Sequence, residues 1–278
     1  FPQFIYQISF VREEGNYYIM WEVLLDILPL IMISAVDRSL YNLQDTPSPV
    51  YLNINPDIGS ARDVALSPVY LNINPKLRRA FDVALSPDNA FFLVADYNNG
   101  TVTQVDTNTN TVTRTYKGFN YPQCIDISPD ISFALVADVG KGIGHIDLRT
   151  HQVSFPYPNK GIKWPQGVAI SPDASFALFT NKGRSNIGRI NLRTNQITFH
   201  YNDKGLNHPW SIAISPDSRH AVVSNYIGSK IALIDLQTDE VSFPFPDAGF
   251  NKPRGVAFSP NGALILVAND WGNNVACI

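Results

Sequence analysis

From about Phe81 onward the chain alternates short apolar runs with short polar turns. The first run of each unit reads Asp82-Val-Ala-Leu, Cys124-Ile-Asp-Ile, Gly167-Val-Ala-Ile, Ser211-Ile-Ala-Ile or Gly255-Val-Ala-Phe. Each is closed by Ser-Pro-Asp or Ser-Pro-Asn, beginning at Ser86, Ser128, Ser171, Ser215 and Ser259, at intervals of 42 to 44 residues. A second apolar run follows at Phe91 to Asp96, Phe133 to Asp138, Phe176 to Asn181, Ala221 to Asn225 and Leu264 to Asn269. After a glycine-containing loop, a third run ends at Asp106, Asp147, Asn191 or Asp235. A Thr/Asn-rich turn then leads to a fourth, Val112 to Tyr116, Val153 to Tyr157, Ile197 to Tyr201 and Val241 to Phe245. Continuous apolar runs of this length, bounded by turn residues, predict strands covered on both faces. Four such strands in a repeat of about 43 residues are one blade of a β-propeller. The expected fold is all-β, a propeller of four-stranded blades over residues 76–278. About five blades, or an incomplete ring, fit the count, with the last blade lacking its outer strand.

The turn chemistry supports this reading. Proline presets φ near −65° in Ser-Pro-Asp, and its neighbours offer hydrogen-bonding side chains, which predicts a type I turn between the first two strands. Pro156 and Pro244 fall in the fourth strand. Proline cannot donate to a ladder and is confined to edges and bulges, so the fourth strand is expected at the outer edge. Phe155, Phe199 and Phe243 recur there at one position, as core packing would require.

The stretch Leu93-Val-Ala-Asp-Tyr-Asn-Asn-Gly-Thr-Val-Thr-Gln-Val-Asp-Thr-Asn-Thr-Asn-Thr-Val resembles the YVTN-type propeller repeat. Pro165-Gln-Gly-Val-Ala-Ile-Ser-Pro-Asp and Pro253-Arg-Gly-Val-Ala-Phe-Ser-Pro-Asn resemble the strand motif shared by YVTN and NHL propellers. The Trp-Asp signature of WD repeats is missing, and Gly-His occurs once, at Gly144-His145, without recurring from unit to unit. The resemblance spans about residues 76–278 and implies a fold more than a function, because such propellers include scaffolds, surface proteins and a few enzymes.

The first 75 residues are different in kind. Residues 1–47 hold both methionines and three of the four glutamates, and read as an irregular or helical extension. The apolar run 17–36 is long enough to span a bilayer. It is interrupted by Glu22, Asp26 and Pro29, so a signal or anchor competes with a non-native segment. Residues 48–75 contain Ser-Pro-Val-Tyr-Leu-Asn-Ile-Asn-Pro twice at a 19-residue offset, with Asp-Val-Ala-Leu after each copy. Val50–Asn55 or Val69–Asn74 is expected to pair with the last blade and close the ring; an open arc of blades is the competing picture.

With the repeats as their own control, positions that vary from unit to unit are the candidates for function. The loops leading into each first strand keep a glycine and a proline, while the residues beside the proline change: Tyr121 and Gln123, Trp164 and Gln166, His208 and Trp210, Lys252 and Arg254. In four-stranded blades these loops share a face with the second-to-third connections, which adds Tyr97, Tyr226 and Trp271. Aromatic, amide and cationic groups on a rigid concave face suit a protein, peptide or glycan ligand. Asp126 is also singled out, because it stands where the other units have Ala84, Ala169, Ala213 and Ala257. A carboxylate there must be paired, hydrated or protonated.

Charge and side-chain chemistry narrow the classes. Net charge is −3 with a pI near 5.9, and the bases look scattered along the chain apart from Lys76, Arg78 and Arg79, so no nucleic-acid partner is expected. Cys124 and Cys277 are too few for a disulfide framework and lack metal-ligand spacing; neither metal nor cofactor is expected. No nucleophile elbow or phosphate loop is present, which leaves no catalytic residue to name. The leading expectation is a monomeric, non-catalytic binding scaffold, extracellular or at the cell surface, with a cytoplasmic location as the alternative. Membrane contact is expected only if 17–36 is an anchor. The competing function, implied by the family resemblance, is a cation-dependent enzyme of the lactonase or streptogramin-lyase type.

Overall fold

The computed structural model describes residues 79–278, apart from 158–160, 200, 203 and 246–248, together with the strands Gln7–Glu13, Asn16–Glu22, Met32–Ile33 and Val64–Ala65. Five antiparallel sheets follow one another along the chain, each with its strands in sequence order. Blade 1 comprises Ala80–Leu85, Phe91–Asp96, Thr101–Asp106 and Val112–Lys117; blade 2 comprises Pro122–Ile127, Phe133–Asp138, Gly142–Asp147 and Val153–Ser154. Blade 3 is Pro165–Ile170, Phe176–Asn181, Asn186–Asn191 and Gln196–Thr198, and blade 4 is Pro209–Ile214, His220–Asn225, Lys230–Asp235 and Glu240–Ser242. Blade 5 has three strands, Pro253–Phe258, Ile265–Asn269 and Asn274–Cys277. First strands of successive blades lie side by side around a common axis. The protein is an all-β, five-bladed propeller.

Each sheet hides its faces against its neighbours, as the unbroken apolar runs require. Leu93, Val102 and Tyr116 of blade 1 pack with Ile125, Val136 and Ile146 of blade 2, and comparable clusters join blades 2 and 3, 3 and 4, and 4 and 5. Leu93, Leu135 and Leu178 occupy one repeat position and are fully buried. Truncating a leucine in such a site to alanine costs roughly 2–5 kcal/mol.

The Ser-Pro-Asp turns form as expected. In blade 1 the Asn89 N–H donates to the Ser86 carbonyl at 2.8 Å, and Ser86 Oγ accepts from Phe91 N–H while donating to Asp88. The last residue of the turn takes a left-handed φ, from 53° at Ala174 to 70° at Gly262. The fourth strand of blade 1 runs the expected length, Val112–Lys117, but those of blades 2, 3 and 4 are shorter than the apolar pattern implies. In blades 2 and 4 they stop at Ser154 and Ser242, before Pro156 and Pro244, which have no N–H to offer. In blades 2 and 3 the chain beyond the ladder also turns inward to bury Tyr157 and Tyr201.

Polar side chains stitch each blade to the next beside the axis. Asp82 accepts from its neighbour Val83 N–H at 2.8 Å and, across the interface, from Ile125 N–H of blade 2 at 2.6 Å. Asp126 repeats the arrangement one blade on, accepting from Ile127 N–H at 3.0 Å and from Ile170 N–H of blade 3 at 2.6 Å. Between blades 3 and 4, Thr180 Oγ1 accepts from Gly167 N–H and donates to the Trp210 carbonyl at 2.9 Å. Between blades 4 and 5, Ser224 Oγ accepts from Ser211 N–H and donates to the Arg254 carbonyl at 2.5 Å. Each of the four junctions between consecutive blades thus carries a side-chain bond to backbone.

The described part of the N-terminal region is strand, not helix. Gln7–Glu13 pairs antiparallel with Asn16–Glu22, so the beginning of the apolar run 17–36 belongs to a hairpin. No helix among the described residues is long and apolar enough to cross a membrane. Met32–Ile33 pairs with Val64–Ala65, and this ribbon lies beside the first strands of blades 5 and 1. Val64–Ala65 is the copy of Val83–Ala84 within the 19-residue duplication, so a sequence written like a first strand is placed beside one. The rest of the proposed signal or anchor, and both ring-closing candidates Val50–Asn55 and Val69–Asn74, lie outside the described residues.

A net intramolecular hydrogen bond is worth roughly 0.5–1.5 kcal/mol, and a buried group left unpaired costs more. Thr180→Val keeps the side-chain volume but strands the Gly167 N–H and the Trp210 carbonyl. The expected outcome is a loss of about 1–3 kcal/mol in urea unfolding, with Thr194→Val in an exposed turn as a near-neutral comparison.

Candidate functional site

The mouth of the channel is built on a welded frame. At the end of each second strand a recurring Asp or Asn accepts from the backbone of the loop leading into that blade's first strand. Asp138 takes the Asn120 N–H at 2.6 Å, Asn181 the Lys163 N–H at 2.6 Å, and Asn269 the Asn251 N–H at 2.6 Å. Asp96 and Asn225 do the same for Arg79 and Asn207. The second-to-third loop then donates back, as Val139 N–H does to the Tyr121 carbonyl at 3.0 Å and Gly183 N–H to the Lys163 carbonyl at 2.8 Å. The residues before the recurring proline are therefore displayed from a fixed backbone. Trp164, His208 and Lys252 sit there at φ of 54°, 54° and 51°, in the left-handed region that costs an L-residue on the order of 1–3 kcal/mol.

All eight variable loop residues lie at this face. Gln123, Gln166 and Trp210 occupy one repeat position with Phe81 and Arg254, and the first three line a cavity of about 10 Å³ with Phe81, Cys124, Gly167 and Ser211. Gln166 is only 5% exposed, and its Oε1 has no hydrogen-bond partner. Its Nε2 makes only long contacts, 3.5 Å and 3.4 Å, to the Trp164 and Pro165 carbonyls. Tyr121, Trp164 and the neighbouring Trp271 are 42%, 50% and 59% exposed. His208 is half-buried, with Nδ1 2.9 Å from Asn207 Oδ1.

Cations rest on most of these rings. Lys163 Nζ lies 4.7 Å from the centre of Trp164, and Lys252 Nζ 3.1 Å from Trp271. Trp210 has Lys182 Nζ at 4.2 Å and the Arg254 guanidinium at 4.7 Å, and it packs on Tyr226 at 5.1 Å. Arg254 is held further by Asp270, 2.8 Å from its Nε, and by the Tyr226 hydroxyl at 3.4 Å. Across the mouth Tyr121 packs on Tyr97, Tyr97 on Phe81, and Arg79 covers both Phe81 and Tyr97. Sequence reasoning had Tyr97, Tyr226 and Trp271 as neighbours but missed Arg79, Lys163, Lys182 and Asp270.

The bases that look scattered along the sequence fall into two groups in space. Lys141, Lys163, Lys182, Arg184, Lys252 and Arg254 lie at the mouth, Arg254 as the second residue of a first strand, while Arg149, Arg193 and Arg219 lie in turns at the opposite end. Among the described residues the acids at that end are Asp96, Asp138 and Asp270; the first two are buried under backbone N–H groups and the third is paired with Arg254. The opposite end carries Asp88, Asp130, Asp173 and Asp217 in the first-to-second turns and Asp106, Asp147 and Asp235 in the third-to-fourth turns. These turn acids accept from backbone or hydroxyl groups, which hold them below the usual carboxylate range, Asp130 at about 2.

Asp126 is not at the mouth. It lies along a first strand, with both oxygens engaged by backbone N–H groups of blades 2 and 3. Asp82, which sequence reasoning passed over, is its counterpart; it stands where the other units have Cys124, Gly167, Ser211 and Gly255, a difference visible once the units are aligned. Burial pushes Asp126 up to about 7, against the two N–H bonds and with a further push from the charge of Asp82. Burial likewise raises Asp82 to about 6, opposed by Ile125 N–H, the Cys124 thiol and Val83 N–H. Among the described residues no three His, Cys, Asp or Glu side chains come together as a metal site would need.

No family model matches the chain, and no curated protein does. Among solved structures it is similar to a hydrazine synthase of Kuenenia stuttgartiensis, with a TM-score of 0.59 and 23% identity over 72% of this chain and 59% of that one. The likeness shows the fold. The chain spans less than two thirds of that neighbour's length.

The raised carboxyls set a direction for pH dependence. A folded-state pKa above the unfolded value means that the native state keeps protons that the unfolded chain releases near pH 4. Stability contributed this way is full below that point and declines as pH rises toward 7. Asp126→Ala, which installs the residue found in the other units, removes the larger shift. In urea unfolding the variant is expected to gain on the parent steadily between about pH 4 and 7 and to level off above that; a difference that stays constant between about pH 4 and 7 contradicts the assignment.

Proposed function

We propose that this propeller is a non-catalytic binding scaffold that holds a protein, peptide or glycan ligand on its channel-mouth loops. The observation that carries the reading is the division of labour within each blade. The recurring Asp or Asn and the recurring proline fix the loop backbone, while Tyr121, Trp164 and Trp271 are left in solvent on that frame. Exposed rings grouped with cations around a shallow opening are what an interaction face presents. The resemblance of the repeats to YVTN and NHL propellers supports the same reading, since scaffolds and surface proteins are among them.

An enzyme is the second reading. The structural neighbour is named for a synthase, and lactonase or lyase chemistry on a propeller wants a carboxylate poised beside a bound cation. The two carboxylates nearest the axis, Asp82 and Asp126, each give one oxygen to a neighbouring blade's N–H, which favours a structural role for them.

The test is binding to glycan and peptide arrays by the parent and by Trp164→Ala/Trp271→Ala. Both rings are exposed, so the double variant is expected to keep its unfolding midpoint while array binding falls at least about tenfold, the loss typical of removing interface aromatics. Undiminished binding by the double variant contradicts the mouth as the site. Divalent-cation-dependent turnover of lactones, abolished by Asp126→Ala, would decide for the enzyme.

A further inference from the structure

We infer that the ligand of the mouth is an acidic polysaccharide, a polymer whose sugar rings carry carboxylate or sulfate. This rests on the binding reading above and names its ligand class. Three features converge on it. The first is charge: Lys163, Lys182, Lys252 and Arg254 face the opening, and the nearest acid among the described residues, Asp270, is already paired with Arg254. Although the whole chain is net negative, the described bases at this end outnumber its described acids and attract anions, whereas at the other end Arg149 and Arg219 stand beside turn acids.

The second is the pairing of each cation with a ring. Lys252 above Trp271 and Lys163 above Trp164 place an ammonium beside partly exposed indole surface. A sugar ring bearing an acidic group answers both at once, laying its C–H face against the indole while its anion meets the ammonium. An acidic peptide would meet the cations and leave the indoles unused.

The third is Gln166. Its Oε1 is a buried acceptor with no partner, lining the small cavity beside Gln123 and Trp210. Such a group calls for a donor from outside, and a sugar hydroxyl is one. A carboxylate or sulfate alone has none to give. An anion that also carries hydroxyls and flat apolar faces fits all three demands.

The experiment measures affinity of the full chain for polygalacturonate and for dextran sulfate, which separate carboxylate from sulfate as the source of charge. Poly-glutamate, oligo-dT and a neutral galactan are run beside them. Binding to one or both acidic polysaccharides is expected, weakening at least about tenfold between about 50 and about 200 mM salt, as release of several counterions requires. Lys182→Glu/Lys252→Glu is expected to weaken it at least about tenfold, and Gln166→Leu to weaken it about three- to tenfold with the salt slope unchanged, because an uncharged hydrogen bond is lost. Arg193→Glu, in a turn at the opposite end, should bind like the parent. Tighter binding to poly-glutamate or oligo-dT overturns the ligand class and leaves the binding reading standing, as does a hit confined to the neutral galactan. Equal affinity of the Lys182→Glu/Lys252→Glu protein, with its folding confirmed by near-ultraviolet circular dichroism, overturns the charged mouth as the site. Absence of binding to every polymer together with an empty array removes both readings.

Discussion

The innermost strand of every blade has one edge in its sheet and one edge turned toward the axis, where no further strand completes the ladder. Its outward N–H and C=O groups lie between blades, partly shielded from water, and such groups cost free energy unless paired. Here the side chains of the preceding blade provide partners: Asp82 and Asp126 accept from Ile125 and Ile170, and Thr180 and Ser224 donate to the carbonyls of Trp210 and Arg254. Apolar packing brings the blades together without specifying where along the axis each one stops. The polar stitches add that register.

Register matters because the mouth is assembled from different blades. Trp210 of blade 4 meets Lys182 of blade 3 and Arg254 of blade 5, so a slip of one strand position would separate the cluster. The sorting of charge also follows from local needs. Third-to-fourth turns are closed by a side chain accepting two backbone N–H groups, as Asp147 does from Arg149 and Thr150, which places acids at one end of the molecule. At the other end the capping Asp or Asn is buried beneath the loop it holds, and the exposed positions above it are free to be basic or aromatic. A chain of net charge −3 can in this way carry a cationic face.

How much of this could be read from the sequence depends on whether a feature repeats. The number of units, the order of their first three strands and the turn at Ser-Pro-Asp follow from periodicity alone, although the first strands begin two residues before the apolar runs, at Ala80, Pro122, Pro165, Pro209 and Pro253. The length of the fourth strand does not: Tyr116, Tyr157 and Tyr201 are all buried at one repeat position, yet only Tyr116 stays in a ladder, a difference that the local pattern does not record. The variable residues flanking the lead-in proline do gather at one face. The bases Lys163 and Lys182 were legible as well once each unit is folded onto its neighbours, but a linear view hides them. Asp126 shows the opposite error. It is unique at its repeat position, and uniqueness points equally to ligand binding and to a stitch peculiar to one junction; only its two N–H partners separate these. The duplicated 19-residue unit gave one usable signal, since Val64–Ala65 is placed beside blade 1 as its likeness to Val83–Ala84 suggests.

Hydrogen exchange at the amides of Ile125 and Ile170 tests the stitched ring most directly. Both point out of their own sheets and toward a carboxylate on the preceding blade. If the stitches hold the blades in register, these two amides exchange only through global unfolding, as slowly as the ladder amides of the buried second strands. Exchange as fast as that of the lead-in loops, with the second strands still protected, would show blades held by apolar packing alone and would contradict the account.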